Sequence, residues 1–156
     1  MNIDSIKEIM DGFDPGALLP DLSTVISRAA LICRIAVLVG PVILLCMGLA
    51  YLFLAPKEAN HYFGYQCYYG MGSVQAWRFT QRLAGMILSV LGLGLTIAMF
   101  LLGGKFQTME TMAMVTSAAK CLILQAVLTA LSMIVINLTD MILFNRRGEV
   151  RRKNKE

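Results

Sequence analysis

Charge is scarce in this chain. Of its 156 residues, 15% are charged and 57% are hydrophobic. A soluble domain usually carries about 25% charged and about 45–50% apolar residues. The imbalance excludes a disordered chain and argues against an ordinary soluble domain. Histidine occurs once, at His61, which removes most histidine-based catalysis and metal chemistry. Cys33, Cys46, Cys67 and Cys121 are far apart and form no CxxC. Neither a disulfide framework nor a zinc site is expected, and Cys in an apolar block behaves as a small hydrophobe. Paired carboxylates and a nucleophile–base pair are also lacking. The chain is therefore not expected to be an enzyme, to bind a metal or to need a cofactor.

What the chain has is long apolar runs, giving a mean hydropathy of +0.66. Ile35 to Leu54 and Leu83 to Leu102 carry no charge. Cys121 to Thr139 is similar, and the run resumes through Phe144 after Asp140. About twenty residues at about 1.5 Å each span about 30 Å, the hydrocarbon thickness of a bilayer. Three such blocks leave too little polar chain to cover them in water. The expected fold is all-α, an integral membrane protein with three transmembrane helices. A short N-terminal amphipathic helix is expected from Ile3, Ile6, Met10 and Phe13 at helical spacing. Its acidic face suits packing on its own bundle better than anionic lipid. With no basic n-region, it does not read as a secretory signal. Asp21 or Ser23 can cap a following helix that runs into the first span. Three regions follow: an N-terminal segment at 1–20, a membrane domain at 21–147 with its first loop at 56–85, and a basic tail at 148–156.

The basic residues sort unevenly between the two sides. Lys57, Arg78 and Arg82 of the first loop share a side with Arg146, Arg147, Arg151, Arg152, Lys153 and Lys155 of the tail. Lys7, Arg28, Arg34, Lys105 and Lys120 lie on the other. Nine against five places the N-terminus outside and the tail in the cytoplasm of a multi-pass cell-membrane protein. Arg28 and Arg34, beside the first span, pull the other way. The tail reads as a topology signal touching anionic headgroups. It lacks aromatic interleaving or a nucleic-acid motif, so no nucleic-acid partner is expected.

The first loop is rich in glycine and aromatics, unlike a plain connector. Tyr62, Phe63, Tyr65, Tyr68, Tyr69 and Trp77 are rings suited to headgroup depth. Gly64, Gly70 and Gly72 permit tight turns. Ser73 can cap a helix starting near Val74. On that helix Trp77, Gln81 and Gly85 share one face, and Arg78 and Arg82 on the next strip can reach phosphates or a partner. The plain alternative is an anchor that only sets depth.

Asn60, Gly64, Tyr65, Trp77, Thr80, Arg82 and Gly85 spell N-x3-G-Y-x11-W-x2-T-x-R-x2-G between two apolar helices. This pattern resembles the SdpI family, membrane proteins associated with immunity to a secreted toxin. Gln66, Cys67 and Gln81 stand where that family usually has Arg, Thr and Asn. The resemblance implies resistance to a membrane-active peptide toxin. It also implies signalling, by holding a cytoplasmic repressor at the membrane. Partners so implied are the lipid bilayer, a peptide toxin and a cytoplasmic regulator, with an oligomer open. Asn60, Gly64, Tyr65, Trp77, Arg78, Gln81 and Arg82 are the candidate loop residues. Asn60 and Gly64 shape the loop, Trp77 anchors it at the interface, and the arginines bind headgroups or a partner. The alternative function is a small structural or accessory subunit of a larger membrane complex or transporter.

Inside the spans, Gln125, Thr129, Ser132 and Asp140 form a polar stripe on the third helix, with Cys121 and Thr139. Such a stripe must face helices or water, and interhelical hydrogen bonding is the plainer reading. Asp140 lies near the inner end, where hydration or pairing with Arg146 or Arg82 is expected. Gly85, Ser89 and Gly92 form a small-residue packing stripe on the second span. Pro41 after Gly40 is a candidate kink in the first.

Overall fold

The computed structural model describes residues 22–60 and 62–151. The expected N-terminal amphipathic helix, the Asp21 cap, His61 and the tail beyond Arg151 lie outside the described residues. Three helices form the bundle: α1 (Leu22–Phe53), α2 (Val74–Gly103) and α3 (Thr111–Leu143). All three are long and apolar enough to cross a membrane. In hydrocarbon a helix satisfies its own backbone, so these sequences leave no alternative to it.

Each helix outruns its charge-free core. α1 has 32 residues, hence a length of about 48 Å. Its N-terminal turns carry Arg28 and Arg34 before the apolar run begins, so the helix continues past the bilayer's hydrocarbon. α1 stops just before Pro56, and α2 stops at Gly103 beside Gly104.

α1 and α2 pack along most of their length, while α3 touches both more sparsely. Small residues set the first approach. Ideal Cβ atoms at Gly48 and Gly92 would lie 2.5 Å from backbone nitrogens of Ser89 and Leu45, and one at Gly85 would lie 2.6 Å from Leu52 Cγ. The Gly85–Ser89–Gly92 stripe therefore faces Leu45, Gly48 and Leu52 of α1. One apolar core, including Val37, Leu95, Met99 and Met114, lies toward the α2–α3 connection; Ala84, Leu88 and Ile136 form another nearer the first loop. Large apolar side chains such as Ile32, Val90 and Ile123 point outward from all three helices, as lipid-facing residues do.

Pro41 sits inside α1. It has no N–H to give to the carbonyl four residues earlier, that of Val37. Gln125 of α3 takes that place, its Nε2 donating to the Val37 carbonyl at 2.9 Å. A Cβ at Gly40 would lie 2.9 Å from Gln125 Oε1. Gly40, Pro41 and Gln125 thus act together: one leaves room, one frees a carbonyl, one satisfies it.

Candidate functional site

The first loop, residues 54–73, is wedged against the bundle's end and held by side chains from three elements. Asn60 Oδ1 accepts the backbone N–H groups of Tyr62 at 3.1 Å and Phe63 at 2.8 Å, which turns the chain. Gly64 follows with φ +121°, where side chains are strained. A Cβ there would lie 2.7 Å from the Trp77 ring. The loop backbone therefore lies directly on Trp77.

Gln81 then reads the next residue as a neighbouring strand would. Its Oε1 accepts the Tyr65 N–H, and its Nε2 donates to the Tyr65 carbonyl, both at 2.8 Å. A carboxylate could not do both, since it has no donor. Trp77 donates Nε1–H to the Pro56 carbonyl at 2.8 Å. The ring is 0% exposed. Trp77 is thus enclosed by protein, while Tyr62 and Tyr68 carry the outward-facing rings. Arg78 donates Nε–H to the Lys57 carbonyl at 3.3 Å, and Arg82 is exposed one turn on.

Farther along, the loop meets α3. Tyr65 Oη lies 3.3 Å from Asn137 Oδ1 and 3.4 Å from the Met133 carbonyl. Burial pushes its phenol above the ordinary 10.0, with the nearby Cys67 and Asp140 adding to the rise. Cys67 Sγ lies 2.9 Å from Asp140 Oδ2 and accepts the Gly70 N–H at 3.1 Å. Burial first, and the Asp140 hydrogen bond second, push the Cys67 thiol up to about 11. Thr80 Oγ1 of α2 reaches the same Asp140 oxygen at 2.9 Å.

Asp140 is the meeting point of loop, α2 and α3, and it is 0% exposed. Neither Arg82 nor Arg146 is its hydrogen-bond partner among the described residues. Among the described residues its hydrogen-bond partners are Cys67 and Thr80, and its second oxygen, Oδ1, has none. The reason is geometric: α2 presents Thr80 inward on the face that carries Trp77 and Gln81, which turns Arg82 outward. The remaining stripe divides. Gln125 reaches α1, as above, while Ser132 Oγ bonds within its own helix to the Thr129 carbonyl at 2.7 Å.

The chain beyond α3 folds back onto the same end. Asn145 and Gly148, the latter at φ +71°, form a turn that brings Val150 against Phe144. Ser73 caps α2 by accepting the Ala76 N–H at 3.1 Å and donates to the Gly148 carbonyl at 2.6 Å. The chain through Arg151 is thus bonded back to the end of α3, the Arg151 N–H donating to the Leu143 carbonyl at 2.8 Å.

A family model matches residues 57–138, more than half of the chain. The chain belongs to the SdpI/YfhL protein family. The SdpI/YfhL match opens at Lys57, on the loop, and runs through α2 to Leu138, two residues short of Asp140. It therefore contains the site's α2 residues and its loop residues except Pro56. No curated protein and no solved structure matches the chain.

Cys67 and Thr80 are the site residues that sequence reasoning did not select. Their signal was indirect: a buried acid in an apolar helix requires donors, and both carry a polar hydrogen within the motif.

Proposed function

We propose that this SdpI-type membrane protein confers resistance to a secreted membrane-active peptide toxin, with the first loop as its recognition and signalling element. The observation that supports this most is that the family match covers a loop built into the bundle's end by Gln81, Trp77 and Asp140. A plain connector has no need of such bonds. In this reading the loop and the chain after α3 face the cytoplasm and the N-terminus faces outward, following the distribution of basic residues. The loop face then binds a cytoplasmic repressor when toxin occupies the bundle. No catalytic step is required.

The test is survival. Toxin-sensitive cells expressing the wild-type protein should tolerate the peptide, and cells expressing Gln81→Leu at equal membrane abundance should not. Equal sensitivity of wild-type and empty-vector cells to every candidate peptide contradicts the proposal. A reporter fused after Glu156 should be active only inside.

One observation favours the accessory-subunit alternative. An apolar groove of about 460 Å³ opens between α1 and α3 beside Pro41, Met47, Leu122 and Ala130. If that groove seats another subunit, loop variants should leave assembly intact and Ala130→Trp should abolish it.

A further inference from the structure

A second feature of the loop end is a cavity of about 350 Å³ between the end of α1, the start of the loop and the first turns of α2. Lys57, Arg78 and Arg82 line it, together with Gln81, Tyr51 and Pro56. Pockets that hold small ligands begin at about 300 Å³. Three cations converge, and no carboxylate lines the wall. Glu58, the only acid in residues 54–73, is exposed and not among the lining residues. The α2 N-terminus and the α1 C-terminus contribute partial charges of about half a unit each and of opposite sign. These oppose each other and fall off within a turn, so the three side-chain charges dominate the cavity.

One of the cations is also oriented. The Arg78 Nε–H bond to the Lys57 carbonyl fixes that guanidinium at the rim, with four further N–H donors. A fork of this kind matches phosphate oxygens in a way an ammonium does not. The depth fits as well. Phe53 and Leu54, 79% and 69% exposed, adjoin the lining residues Leu52 and Ala55 in the chain. The cavity therefore opens where apolar surface gives way to charge, the level of a headgroup phosphate.

We propose that this cavity is a binding site for one phosphate-bearing anion, held by Arg78, Arg82 and Lys57. The site does not depend on the immunity reading, because it is assayed on purified protein. A lipid headgroup and a soluble phosphate share this chemistry, and the experiment separates them.

The full chain in mild detergent is offered phosphatidylglycerol and phosphatidylcholine of equal chain length, and inorganic phosphate separately. Native mass spectrometry counts what each molecule retains. Preferential retention of phosphatidylglycerol, undisturbed by excess phosphate, identifies a lipid headgroup. Retention of phosphate itself, or displacement of the lipid by it, identifies a soluble anion at the same site. Arg82→Gln should weaken the bound species about tenfold, the loss of one charge-assisted hydrogen bond. Arg82→Lys should fall between, and Arg147→Gln, at the same end but outside the lining, should match wild type. Retention of neither anion, equal retention of both lipids, or an Arg82→Gln protein that binds as wild type does would overturn the site.

Discussion

The two connections between the helices are built on different principles. The second, between α2 and α3, makes itself. Lys105 donates to the Leu102 carbonyl, Thr108 bonds back to Lys105 through both its N–H and its hydroxyl, and Phe106 drops into the nearby core. Among the described residues its polar bonds are local. The first connection is made by others: Gln81 and Trp77 of α2 hold Tyr65 and Pro56, and Asp140 of α3 holds Cys67. Its shape exists only where the helices are already paired. A turn whose polar bonds are local and which meets the bundle through one apolar ring is less sensitive to how the helices are paired. A loop held by two helices changes whenever their spacing does, and that is the physical basis for giving it the signalling role.

Substitutions should therefore separate the two connections sharply. Trp77→Ala removes a fully enclosed ring beneath Gly64 and should cost about 3–5 kcal/mol, the range for large aromatic truncations in cores. Thermal unfolding in detergent measures it. Gln81→Leu leaves the Tyr65 N–H and carbonyl unpaired and should cost about 1–3 kcal/mol for each group that stays buried. Limited proteolysis should then cut near Tyr65 while the second connection stays intact. Gln125→Leu, which frees the Val37 carbonyl beside Pro41, should cost about 0.6 kcal/mol, the average for interhelical hydrogen bonds in membranes. Thr108→Ala in the second connection should stay within about 0.5 kcal/mol of wild type.

Cys67 sharpens the contrast through pH. Its thiol is raised from 9.0 to about 11. The folded protein thus holds this proton where the unfolded chain has lost it. Stability from this group is complete below about pH 9 and declines as pH rises toward about 11. Thiolate-specific labelling of Cys67 should accordingly be slow at pH 8 and accelerate above pH 10. Cys67→Thr keeps a donor to Asp140 and should leave the melting temperature nearly unchanged, whereas Cys67→Val should lower it.

Much of this architecture is written in local pattern. Uncharged runs mark all three spans, Ser73 marks the start of α2, and the spacing of Gly85, Ser89 and Gly92 marks its packing face. The face shared by Trp77 and Gln81 is also visible from spacing alone. What those residues touch is not. Asp140 lies 60 residues from Thr80 and 73 from Cys67, and only helix pairing reveals that they meet. The Gln81 grip on Tyr65 is equally hidden, because an amide in a helix has many uses. The role of Gln125 becomes legible only when Pro41 is seen one helix away with an orphaned carbonyl facing it. The return of the chain through Gly148 was masked by its basic residues, which read as a topology signal touching anionic headgroups.

The central claim, that α2 holds the first loop through Gln81, is most directly tested by amide hydrogen exchange at Tyr65 in lipid nanodiscs. The account predicts slow exchange at Tyr65 in the wild-type protein and fast exchange in Gln81→Leu, with Met109 of the second connection unchanged. Equally rapid exchange at Tyr65 in both proteins would contradict it.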